Sequence, residues 1–132
     1  MDQKATDSGY HGHIVGLSQK DRSIFRDLNV LGRRKLFGGA VTVYKIGVTA
    51  EDLPAVLRRV QENMRNRLLF MRQEFYAHFY RGPELIIVFG DRLFRVGIDP
   101  STWREAIEHG RRLGIAKGQL DFSPCRIEEE TY

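Results

Sequence analysis

Three β-rich runs, EFYAHFYR, ELIIVF and RLFRV, lie between residues 74 and 96, separated only by Gly82-Pro83 and Gly90-Asp91. Two-residue breaks containing glycine are hairpin signals, so the chain is committed to three consecutive antiparallel strands, expected at 75–81, 84–89 and 92–97. Counting outward from the two turns sets the register. Tyr80 opposes Leu85, His78 opposes Ile87 and Tyr76 opposes Phe89; Phe89 in turn opposes Arg92, Ile87 opposes Phe94 and Leu85 opposes Val96.

Directly opposed residues share a face of a sheet. One face therefore carries Tyr76, His78, Tyr80, Leu85, Ile87, Phe89, Arg92, Phe94 and Val96, and the other carries Phe75, Ala77, Phe79, Ile86, Val88, Leu93 and Arg95. The second set is smaller at its centre and suits close packing beneath helices. The first is too apolar to stand bare in water, so something is expected to cover it.

The flanking segments supply candidates. HIVGL, 13–17, is a short strand. Ser18 and Asp21 form an acidic variant of the capping box ahead of QKDRSIFRDLNVL, where Ile24, Phe25, Leu28 and Leu31 fall at helical spacing and Gly32 gives the stop. AVTVYKIGV, 40–48, is rich in β-branched residues and reads as a strand. Thr49 with Asp52, and Pro54 in the first turn, open a long helix at 52–72 on the stripe Leu53, Val56, Leu57, Val60, Met64, Leu68 and Met71. Asp99 and Pro100 start a third helix with a buried face of Trp103, Ala106, Ile107, Gly110 and Leu113, ended by Gly114. GQLDF, 118–122, is read as a last strand.

The expected fold class is thus α+β, a ferredoxin-like mixed or antiparallel sheet built as strand, helix, three-stranded meander, helix and strand, with an N-terminal helix. Right-handed crossovers place the second and third helices on one face. The tyrosine face is left to the first helix, a partner or a ligand.

At 132 residues the chain has the size of one domain. It divides into a flexible N-terminus at 1–10, a single α+β domain at 11–123 and an acidic tail at 124–132. No apolar run approaches the roughly 18 residues of a membrane helix. The start lacks a signal-peptide layout, and a lone Cys125 cannot form an intramolecular disulfide. A cytoplasmic protein with no membrane partner is expected. The net charge is +4, and 16 of the 21 basic residues are arginine. Both termini are net acidic, which leaves the body more basic than the total and compatible with nucleic acid or another anionic ligand.

Within that frame, Tyr76, His78, Tyr80, Phe89, Arg92 and Phe94 are the binding or interface candidates. A histidine side chain ordinarily titrates near neutrality, so the residue type at His78 suits a general base or ligand contact. Tyr76 and Tyr80 offer ring faces to bases, although RQEFYAHFY lacks the glycines and the paired second motif of an RNA-recognition sheet. Arg33, Arg34 and Lys35, placed on a connector after the first helix, are anion-binding candidates. Arg58, Arg65 and Arg72 recur every seven residues along the long helix. His11 and His13 lack a third ligand at metal-site spacing and belong to the flexible start, so no metal and no cofactor are expected.

No catalytic constellation emerges. The leading expectation is a non-enzymatic module that forms a homodimer through the aromatic face. A nucleic-acid or phosphate-ligand binder is the first alternative. A small-molecule sensor or enzyme with a pocket around His78 is the second.

Overall fold

The computed structural model describes residues 9–116, 119, 120 and 122. In chain order the elements are β1 (Tyr10–Val15), α1 (Ile24–Asp27), β2 (Asn29–Leu36), β3 (Val41–Val48), α2 (Leu53–Glu62), β4 (Arg67–Leu68), β5 (Met71–Arg72), β6 (Tyr76–Arg81), β7 (Glu84–Phe89), β8 (Leu93–Gly97) and α3 (Arg104–Arg112). Six of the strands make one sheet in the order β2-β3-β1-β6-β7-β8, and every neighbouring pair is antiparallel. β4 and β5 form a separate two-residue ladder.

The meander has the counted register. Tyr80 faces Leu85, His78 faces Ile87, Tyr76 faces Phe89, Ile87 faces Phe94 and Leu85 faces Val96. The class is α+β with an antiparallel sheet, but its strand order and element sequence depart from the ferredoxin-like arrangement. β3 and β6 both run antiparallel to β1 and so parallel to each other, and α2 carries the chain from one to the other past β1.

Two expected helices are cut short. Of the first, only the turn Ile24–Asp27 is helical, and Asn29–Leu36 becomes the edge strand β2. Leu31 sits in a bulge between Val30 and Gly32, and the strand carries Arg33, Arg34 and Lys35. Bulges and cationic side chains are what keep an exposed sheet edge from pairing with another chain. The basic triplet therefore lies on a strand, not on a connector.

The second helix stops at Glu62 because the segment after β1 captures the chain. Asn63 donates from Nδ2 to Gln19 Oε1 and to the Asp21 carbonyl, both at 2.9 Å, and accepts from the Asp21 amide at 3.0 Å. The Arg65 amide donates to the Ser18 carbonyl at 2.6 Å. Arg58, Arg65 and Arg72 consequently share no helix face. The third helix opens with a short 3-10 turn capped by Asp99, whose Oδ1 accepts from the Ser101 amide at 3.0 Å, and is followed by Gly114 in the left-handed region. Of the expected last strand, Gln119, Leu120 and Phe122 are described and are not in a strand; residues 118 and 121, the N-terminus at 1–8 and the acidic tail with Cys125 lie outside the described residues.

Each sheet face carries a packed cluster. On one, Ala77, Phe79, Ile86 and Val88 pack with Ile14 and Ile46 beneath Leu53, Leu57 and Val60 of α2 and Ile24 of α1. On the other, Tyr80, Leu85, Ile87, Phe89 and Phe94 pack beneath Trp103, the N-cap of α3, and Ala106 of α3 with Ile115, Leu120 and Phe122. α2 and α3 thus lie on opposite faces, where a shared face was expected. The crossover rule concerns parallel strands joined through a helix, and α3 follows an antiparallel hairpin that leaves it free to fold to either side.

Gly12 lies in β1 directly over Phe79. A methyl group there would clash with the Phe79 ring, and Phe79 is fully buried. Gly12→Ala is expected to cost about 2 kcal/mol by overpacking, measured by chemical denaturation.

At the rim of the α2 side, buried Tyr10 donates its hydroxyl to Glu84 Oε1 at 2.8 Å, with the Arg81 guanidinium 4.3 Å over its ring. Burial, reinforced by the Glu84 hydrogen bond and charge, raises its pKa. A raised phenol pKa contributes stability that is complete below the ordinary tyrosine value of about 10 and is lost as pH climbs through the raised one. The stability advantage of the native chain over Tyr10→Phe, about 1 kcal/mol at neutral pH, is therefore expected to shrink in denaturation curves taken above about pH 10.

Candidate functional site

The tyrosine face is not covered along its whole width. α3 is fixed over β7 and β8 by two side chains: Trp103 Nε1 donates to the Gly97 carbonyl at 2.7 Å, and His109 Nε2 lies 2.9 Å from Asp91 Oδ1. The same face continues across β6, where Tyr80 still belongs to the cluster beneath α3, to β1 and β3. There the register sets His13 of β1 between His78 of β6 and Lys45 of β3, with His11 next to Tyr80.

Alternation along β1 sends His11, His13 and Val15 to this face and Tyr10, Gly12 and Ile14 to the other. The result is a ladder of rings. His13 and His78 stack with centroids 5.2 Å apart and planes 23° from parallel, and His13 and Tyr80 stack at 5.7 Å and 22°. His13 Nε2 is 3.2 Å from the Tyr80 hydroxyl, a hydrogen bond whose donor depends on the imidazole tautomer. Tyr76 and Tyr80 flank His78 at 6.5 and 6.2 Å.

A cavity of about 370 Å³ opens at the end of this ladder. His13, Tyr76 and His78 form its ringed wall, and Val15, Val43, Phe75 and Ile115 form its apolar one. Gln73, Glu74 and Gln119 supply the polar groups. Tyr76 closes one corner: its hydroxyl donates to the Gln119 carbonyl at 2.6 Å, and its ring meets Phe122 edge-on at 5.1 Å. A second depression, about 250 Å³ on the α2 side, is lined by Asp21, Ile24, Arg59, Glu62 and Asn63. Its polar groups are largely engaged already, Arg59 with Asp27 at 2.6 Å and Asn63 with Gln19. Asp21 accepts hydrogen bonds from Ser23, which lower its pKa.

Of the candidates named from the sequence, Tyr80, Phe89 and Phe94 are buried against the chain's own residues. Tyr76 and His78 are half-buried at the border of the cavity. Arg92 is exposed at the β7–β8 turn, its guanidinium 4.6 Å over the Phe94 ring. The basic triplet is divided by strand alternation. Arg34, opposite Val43, shares the cavity face, whereas Arg33 lies over Tyr44 at 5.7 Å on the other side and Lys35 pairs with Thr42.

Sequence reasoning missed His13, Val15 and Val43 as site residues. Their signal is present in the alternation of HGHIV, which puts both histidines and Val15 on one side, but the polar segment before it reads as a flexible start and not as the approach to a central strand. Among the described residues, no group of three or more His, Cys, Asp or Glu side chains could hold a metal ion. Set against protein-family models, curated proteins and solved structures, the chain matches none.

Tyr76→Phe removes the hydroxyl that holds Gln119 and leaves the ring packing intact. It is expected to cost about 1 kcal/mol and to speed amide hydrogen exchange selectively at Ile115 and Leu120, read by NMR.

Proposed function

We propose that the chain is a ligand-binding module that takes a small planar molecule into the cavity beside His78. The observation that carries this reading is the cavity itself: about 370 Å³ on an otherwise covered sheet face, within the size range of small-molecule sites. Its walls suit a flat aromatic or heteroaromatic ligand. Such a ring extends the stack that His78 and His13 begin, its edges meet Val15, Val43 and Ile115, and the amides of Gln73 and Gln119 offer both donors and acceptors.

The burial of Phe89 and Phe94 beneath α3 supports ligand binding over self-association through that face, since a dimer would have to displace the chain's own helix. The basic surface supports an anionic substituent on the ligand. Arg34 lies on the cavity face beside Val43.

The test is an NMR screen of planar heteroaromatic compounds against the labelled chain. Hits are expected to shift the His13 and His78 ring resonances, to bind His78→Ala about fivefold more weakly through loss of one stacking partner, and to be excluded by Val43→Phe, which fills the cavity. A screen that yields no ligand tighter than about 1 mM, or ligands indifferent to Val43→Phe, overturns the reading.

A further inference from the structure

The positive charge of this chain is concentrated in two segments. Between Asp27 and Glu51 there is no acidic residue but there are Arg33, Arg34, Lys35 and Lys45; between Glu62 and Glu74 there is again none, but Arg65, Arg67 and Arg72. These segments hold +4 and +3, together +7, so the remainder of the chain carries −3 against a total of +4.

Each segment is a hairpin, and each hairpin has an apolar apex. The β2–β3 turn raises Phe37, which is 82% exposed, and the β4–β5 turn raises Leu69 and Phe70, 87% and 93% exposed, with Met71 beside them at the start of β5, 69% exposed. Phe37 and Leu69 also hold left-handed backbone, with φ of 53° and 58°, a conformation that glycine or asparagine adopts with less strain. Both the exposure and the backbone oppose stability. The two hairpins spring from one end of the sheet, since Val43 at the base of the first and Gln73, Glu74 and Phe75 at the base of the second line the same cavity.

We propose that the two tips dock the chain onto an anionic lipid bilayer, with Phe37 and Phe70 entering the interfacial region and the exposed Arg33, Arg34, Lys35 and Arg67 meeting the headgroups, whereas Lys45 is buried in the sheet. No helix among the described residues is long and apolar enough to cross a membrane, and surface docking requires none: it needs exposed apolar groups beside positive charge. Two separate convex tips suit a deformable surface better than a rigid protein partner. Tip-to-tip pairing of two copies would oppose like charges. Leu69 and Met71 have no ring face for a nucleic-acid base, whereas hydrocarbon accepts them as readily as phenylalanine. The inference does not depend on what occupies the cavity.

The test is co-sedimentation of the full chain with vesicles of phosphatidylcholine alone and with phosphatidylserine added. Binding is expected only to the anionic vesicles, and to weaken as salt is raised. Phe37→Ser with Phe70→Ser is expected to weaken it roughly tenfold or more, and Arg67→Gln roughly fivefold, each with an unchanged circular dichroism spectrum because both tips lie outside the core. Phe70→Trp supplies a direct readout, a blue-shifted emission quenched by brominated lipid; the native Trp103 is buried. Absence of binding to anionic vesicles, binding indifferent to the serine substitutions, or no lipid-induced blue shift in the Phe70→Trp variant overturns the proposal. So does tip-dependent binding of single-stranded RNA, or tip-dependent dimerisation in light scattering, when vesicles are not bound.

Discussion

The pairing of β1 with both β3 and β6 puts the first described strand at the centre of its sheet, with neither edge free. Gly12 makes this possible on one side, since only a residue without a side chain lets Phe79 lie flat against the backbone. The other side is what the strand then contributes to function. With Gly12 and Ile14 committed to the α2 core, His11, His13 and Val15 are necessarily delivered to the opposite face, beside His78 and Tyr80. The ring ladder follows from strand alternation around a glycine.

A sheet with two apolar faces requires two covers, and here they are unequal. α2 with α1 and the Met64 segment closes one face under a single cluster. α3 has nine residues, and the cluster beneath it, with Ile115, Leu120 and Phe122, spans β8, β7 and Tyr80 of β6. The cavity is the uncovered remainder. Its position is set less by any residue within it than by where Trp103 and His109 pin the helix.

The meander was legible because its information is local. Two glycine-containing turns fix register, and register fixes faces, so Tyr76, His78 and Tyr80 could be grouped from the sequence alone. What was illegible is pairing between distant segments. The stripe Leu53, Leu57, Val60 and Met64 keeps helical spacing beyond the point where the helix ends, and nothing near Asn63 announces that Gln19 and Asp21 will take its side chain. One local signal was available. Leu68-Leu69-Phe70-Met71 has no polar member and cannot belong to a one-faced helix. Likewise Arg33-Arg34-Lys35 reads as a solvated connector unless one knows that β3 lacks a partner on that edge.

The central place of β1 also bears on how the sheet is assembled. His11 meets Gly47 on one side and Tyr80 on the other, so this strand has partners 36 and 69 residues downstream. The β6–β7–β8 meander can zip through its own turns, whereas β1 must close long loops on both flanks before its hydrogen bonds are satisfied. On the ribosome, β1 can meet β3 as soon as Val48 has emerged, but its other flank stays open until β6 follows. Until then HGHIV is a sheet edge, and the strand that ends as the centre begins as a border.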